Sequence, residues 1–178
     1  YSNAIDVRGL AMVAQNWLAA GSTFQAVLGT SQATEFGGGL SLTQGSYFID
    51  VTARRFAKDG ERVFVQNGQV YQLGIPTSVT MTPIDVSVGY RFRPLGRLRP
   101  YLGGGYTRLK YEESADFAAS GDDVSESFNG FHLVGGGEWR LARFIGIATE
   151  AAWTRIGKAI GDAGASQAFG EDDLGGTS

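Results

Sequence analysis

The side chains best placed to do chemistry are charged residues that alternate with apolar ones: Asp6, Arg8, Asp50, Arg54, Asp85, Arg91, Arg108, Lys110, Glu138 and Glu150. Spaced in this way they share one face of extended segments, with both signs present. Such a face either pairs its charges with one another or offers ions a path. We read it as a paired network, since breaking one buried pair costs about 3–5 kcal/mol; an ion path or gate is the alternative. His132 is the only histidine. It is followed by Leu133 and Val134, so no hydroxyl nucleophile stands two residues on, and we expect an interior hydrogen-bonding role. The stretch "EESADFAASGDDVSE" carries Glu112, Glu113, Asp116, Asp122, Asp123 and Glu126. Its spacing is not that of an EF-hand, and it reads as a solvated loop. No catalytic set, metal-ligand cluster or cofactor motif is found, so none is expected.

The elements that must position these residues show a period of two. In "PIDVSVGYRFRPLG", Ile84, Val86, Val88, Tyr90 and Phe92 alternate with Asp85, Ser87, Gly89, Arg91 and Arg93. One face of that strand is apolar and the other polar. In water the apolar face would line a core; in a membrane barrel it would meet lipid and the charges would fill the lumen. Seven such segments are expected: Ile5–Leu18, Glu35–Gln44, "SYFIDVTARRF", the one just quoted, "RPYLGGGYTRLKYEE", "ESFNGFHLVGGGEWRL" and "RFIGIATEAAWTRI". They exceed the usual 5 or 6 residues of a globular strand and suit the roughly 9–11 needed to cross a bilayer at a tilt.

Connections sort by length. "TQGS", "PLGRL" and "LAR" are tight, whereas 19–34, 57–77, 114–124 and 157–172 are long. Short and long alternate, which in an up-and-down barrel puts every tight turn at one rim and every long loop at the other. Within the second long connection, Arg62–Leu73 has apolar runs around Asn67-Gly68, a type I′ hairpin signal. "STFQAVLG" and "GASQAFGE" each predict a short helical turn. The triplets Gly37–Gly39, Gly103–Gly105 and Gly135–Gly137 fall inside strands, where curvature and close approach need glycine; a phosphate loop would instead lead into a helix.

Composition is consistent with this. The chain has 178 residues, a net charge of −3, 27 glycines, 4 prolines and no cysteine. Nucleic acid is an unsuitable partner for an acidic chain, and no apolar run is long enough for a transmembrane helix. Residues 1–4 read as the remnant of an expression tag, leaving 5–178 as a single barrel domain. Ile49, Val51, Ile84, Val86, Val88, Leu109, Leu133, Ile145 and Ile147 are expected to face lipid. Tyr47, Tyr90, Phe92, Tyr101, Trp139 and Phe144 lie beside the tight turns, and Tyr111 and Trp153 toward the long loops, as two interfacial girdles.

With these segments assigned, "VSVGYRF", "RPYLGGGYTRLKY", "FNGFHLVGGGEWRL" and "GIATEAAWT" resemble the strand–turn–strand pieces of the small OmpA-like outer-membrane β-barrels. The resemblance implies a Gram-negative-type outer membrane with its lipid and lipopolysaccharide. It also implies export through the periplasm and insertion by the barrel-assembly machinery. Some barrels of this size are lipid A deacylases with an outward His-x-Ser pair; here the triplet is His132-Leu133-Val134. An even strand number is expected, and an eighth strand would begin near Leu174, so the last strand reads as truncated, without a closing aromatic residue.

The expectation is therefore an all-β, antiparallel up-and-down transmembrane barrel of about eight strands in the bacterial outer membrane. It would be non-enzymatic, with a plugged polar lumen and long external loops open to an extracellular partner. A soluble lipocalin-like barrel with an apolar ligand and a narrow ion channel are the alternatives.

Overall fold

The computed structural model describes residues 5–115, 124–142, 145–157 and 165–178. In chain order the elements are β1 (Asp6–Leu18), α1 (Gly21–Leu28), β2 (Gln32–Gln44), β3 (Tyr47–Gln66), β4 (Gln69–Arg91) and β5 (Leu98–Ala115). They continue as β6 (Val124–Arg140), β7 (Gly146–Arg155), α2 (Ala165–Phe169) and β8 (Gly176–Thr177). Each strand pairs antiparallel with the next and β8 pairs with β1, closing an eight-stranded up-and-down barrel. Both predicted helical turns form, as α1 and α2. Among the described residues no helix is long and apolar enough to cross a membrane.

Alternation fixes which face of each strand looks inward, and register then brings the inward residues together. Asp50, Ser87, Gly105 and His132 form one interior row across β3 to β6, and Thr52, Asp85 and Thr107 form the next. Gly105 is needed in its row, because a Cβ there would collide with the Val86 carbonyl oxygen.

The strands β3 and β4, of 20 and 23 residues, run past their neighbours. Their ladder continues through a register shift at Glu61/Val63 to the pair Gln66↔Gln69. Asn67 (φ 51°) and Gly68 (φ 76°) make the turn, both in the left-handed region that a type I′ turn requires. The hairpin expected over Arg62–Leu73 is thus the outer end of β3 and β4, an arm with Phe64 opposite Tyr71.

Closure is confined to the loop end of the barrel. β8 pairs with β1 only at Trp17↔Thr177 and Leu18↔Gly176, and with β7 only at Trp153↔Thr177 and Thr154↔Gly176. Ser178 and Ala152 then exchange backbone hydrogen bonds of 2.9 and 2.7 Å. Below that point, among the described residues, no strand lies between the facing edges of β1 and β7.

Candidate functional site: the lumen and its lid

The interior has three levels. At the level of the tight turns, Arg91 is held by Thr43 and by Ser41 Oγ at 3.1 Å, and its guanidinium carbon lies 4.9 Å from the centre of the Phe48 ring. Glu138 faces it, with Oε2 3.9 Å from Arg91 Nε, and accepts a 2.7 Å bond from Arg8 Nη1. Arg8 also pairs with Asp6 at 2.6 Å, at the exposed rim.

The middle level is a single connected network. Arg54 reaches Asp85 Oδ2 at 2.6 Å and Glu35 Oε2 at 3.2 Å. Thr107 Oγ1 donates to Asp85 Oδ1 at 2.6 Å and lies 2.9 Å from His132 Nδ1, while His132 Nε2 lies 2.7 Å from Ser87 Oγ. The proton positions follow from valence. A carboxylate only accepts, so the Thr107 hydroxyl is spent on Asp85, and its oxygen takes the His132 Nδ1–H. Nε2 is left with its lone pair and accepts the Ser87 hydroxyl. Ser87 and His132 stand on strands separated by β5, and they meet because Gly105 has no side chain between them.

That order of groups is the one that activates a serine through a histidine base. The space beside it is small. The cavity lined by Ser87, His132, Asp85, Arg54, Asp50 and Glu150 encloses about 50 Å³, room for a few waters and for no acyl chain. Its walls include Asp50 Oδ1 and Arg54 Nε, buried atoms without a hydrogen bond among the described residues. The network fills the middle of the lumen with polar groups bonded to one another. Among the described residues no group of three His, Asp or Glu is placed to hold a metal.

The loop-end level is apolar. Phe24 and Leu28 of α1 dip into the barrel mouth and pack with Phe56, Val79, Met81, Leu109 and Ile156, while Tyr111, Phe128 and Leu174 border the cluster. The helix begins at Ala20, which offers no side-chain cap. Glu171, beyond α2, supplies one: it accepts bonds from Ser22 N (3.0 Å), Thr23 N (2.8 Å) and Thr23 Oγ1 (2.8 Å). Burial works against its charge, but the bonds from Thr23 and Ser22 outweigh that and hold the carboxyl below its ordinary pKa. A clasp between distant parts of the chain thus fixes the lid. Outside it, α1, the β3–β4 arm and Phe169 frame an open groove of about 770 Å³.

Most of the charged set lies where the alternation puts it. Asp85, Arg91, Arg54 and Glu138 line the lumen; Glu150 points inward beside the β1/β7 gap and accepts a 2.7 Å bond from the Tyr101 hydroxyl. Ile49, Val51, Ile84, Val86, Val88, Leu133, Ile145 and Ile147 are exposed on the outside. Tyr47, Tyr90 and Phe92 stack edge to face on the outer turn-side rim, Trp139 lies outside at the same rim, and Phe131 stacks with Trp153 toward the loops.

On β5 the faces are the reverse of those expected. Arg108 and Lys110 are outside, with Lys110 paired to Glu112 at 2.8 Å, and Leu109 is buried in the lid cluster. Tyr101 and Tyr111 also turn inward and join no girdle. Thr107 decides the matter: it must face Asp85 and His132, and every second residue follows it inward. Past the apolar band, a charge outside the wall is solvated, so nothing forces it into the lumen. Phe144 and residues 116–123 of the acidic stretch lie outside the described residues.

The pairing of Ser87 with His132 is invisible to a search along the chain, because the two are 45 residues apart. Ser87 and His132 each fell on an expected lumen face, but Gly105, which lets them meet, did not, because Arg108 and Lys110 pointed to the other face of β5. No protein-family model, curated protein or solved structure matches the chain.

Proposed function

We propose that this chain is a non-enzymatic outer-membrane β-barrel whose lumen is plugged and whose loop-side surface serves a structural or interaction role. The observation that carries the reading is inverted polarity. Outward residues Val13, Leu40, Val88 and Leu133 are 68, 58, 58 and 56% exposed, while Glu35, Asp85 and Arg91 inside are 2, 6 and 8% exposed. Water would penalise that outer surface, since soluble monomers rarely expose apolar patches beyond a few hundred Å². Lipid would not. On β4 the outward apolar run from Ile84 to Phe92 spans about 27 Å along the strand at about 3.4 Å per residue. With a tilt of about 40° it covers about 21 Å of depth, near the roughly 25 Å apolar band of such barrels.

The same polarity argues against a lipocalin-like pocket, whose apolar residues would line the interior. Conduction is disfavoured by the paired charges and the apolar lid over them. The external groove beside α1 and the β3–β4 arm gives a partner somewhere to bind.

The reading is tested by refolding the denatured chain with and without detergent micelles and comparing boiled with unboiled samples on a gel. A band that shifts on boiling, formed only with detergent, is expected. A cooperatively folded monomer in plain buffer would overturn the reading.

A further inference from the structure

On three strands the outward run of uncharged side chains ends at an arginine. On β3, Tyr47, Ile49, Val51 and Ala53 are followed by Arg55; on β5, Leu102, Gly104 and Tyr106 by Arg108; on β7, Ile147, Thr149, Ala151 and Trp153 by Arg155. All three arginines are exposed, and none has an ion pair among the described residues. Register groups two of them: Ile84 pairs with both Ala53 and Arg108, which puts Arg108 one outward step below Arg55 across β4. Two strand spacings and two residue rises separate their Cα atoms by about 12 Å, a span that two arginine side chains can close on a common anion. Lys110 stands in the Arg55 row, opposite Thr82, but is already paired with Glu112.

We propose that Arg55, Arg108 and Arg155 form a collar that binds phosphate groups of lipid headgroups in the leaflet on the long-loop side. This rests on the membrane reading above, which puts the first residue past the apolar band at headgroup depth. The chemistry selects phosphate: guanidinium forks bind its oxygens bidentately, and among the described residues no carboxylate pairs with these three cations. Arg93 and Arg97, at one of the tight turns, are exposed at the opposite rim and provide the internal control.

The test uses the chain refolded in neutral detergent, with the heat-shifted gel band checked first. Native mass spectrometry then follows binding of dioleoyl phosphatidic acid, with phosphatidylcholine in parallel. Wild type is expected to prefer phosphatidic acid. In R55Q/R108Q/R155Q the affinity should fall about fivefold for each arginine removed, the factor for one basic side chain at an anionic membrane surface. The R93Q/R97Q variant should keep wild-type affinity. Equal binding of both lipids by wild type, unchanged affinity in the triple variant, or a loss confined to the turn-side variant would each overturn the collar while leaving the barrel reading intact. A chain that gives no heat-shifted form in any detergent would overturn the barrel reading and the collar with it.

Discussion

Replacing Arg54 by alanine tests the plug where its charges are most dependent on one another. The guanidinium is 11% exposed and lies between Glu35 and Asp85, themselves 3 and 8% exposed. Its removal leaves two buried carboxylates facing one another without a cation. Losing one partner of a buried pair costs about 3–5 kcal/mol. The loss should not double, because Asp85 keeps its bond from Thr107 and Glu35 keeps a 3.4 Å contact from Asn16. We therefore expect R54A to lower the stability of the barrel by about 3–5 kcal/mol, read from urea unfolding in vesicles by tryptophan emission and the gel shift. Asp85→Asn in the same background should recover part of the loss, since Asn accepts from Thr107 without bringing a charge, giving a coupling of about 1–3 kcal/mol. A loss under about 1 kcal/mol without coupling is the behaviour of solvent-screened pairs. It would mean that water fills the lumen, and the plug would have to be abandoned for an ion path.

Further expectations follow from the same geometry. His132→Ala leaves the Ser87 hydroxyl without its acceptor and should cost about 1–3 kcal/mol in the same unfolding assay. Gly105→Val drives a side chain against the Val86 carbonyl and between Ser87 and His132, and should sharply reduce the yield of the heat-shifted form on refolding. Phe24→Ala removes the centre of the lid and should lower amide-exchange protection across α1 while leaving protection in β3 to β6 unchanged. Glu171→Ala should weaken protection of the Ser22 and Thr23 amides by about 0.5–2 kcal/mol, the usual worth of a helix cap. Because the Glu171 carboxyl titrates below its ordinary value when folded, its clasp should be fully present above that ordinary value and be lost as pH falls through the lower, folded one. Exchange of those two amides measured down an acid series checks the sign.

Strand order and rim assignment were legible in the sequence because both rest on spacing. The strict alternation from Ile84 to Phe92 and the sorting of connections by length carry over directly to β4 and to the two rims. Face assignment was legible only where one face was charged and the other apolar within the band. On β5 the charges Arg108 and Lys110 lie beyond the band, so they gave no information about which side was inward; the small residues and Thr107 did. The helix in "STFQAVLG" could be read from its pattern, but its partner could not. Eight residues with Phe24 and Leu28 on one side say that something apolar covers them, and only the closed barrel shows that this is Phe56, Val79, Met81 and Leu109. The Ser87–His132 contact was missed for a related reason: sheet register, not chain distance, creates it.

A membrane-spanning barrel puts the outer face of β4 in hydrocarbon, and Val88, near the middle of that face, is the place to measure it. A variant carrying Val88→Trp, with Trp17, Trp139 and Trp153 changed to Phe, would be refolded into vesicles of phosphatidylcholine brominated on its acyl chains. Strong quenching by the bromolipid, with blue-shifted emission insensitive to aqueous iodide, is the predicted result. Emission quenched by iodide and untouched by the bromolipid would put this face in water and contradict the membrane barrel.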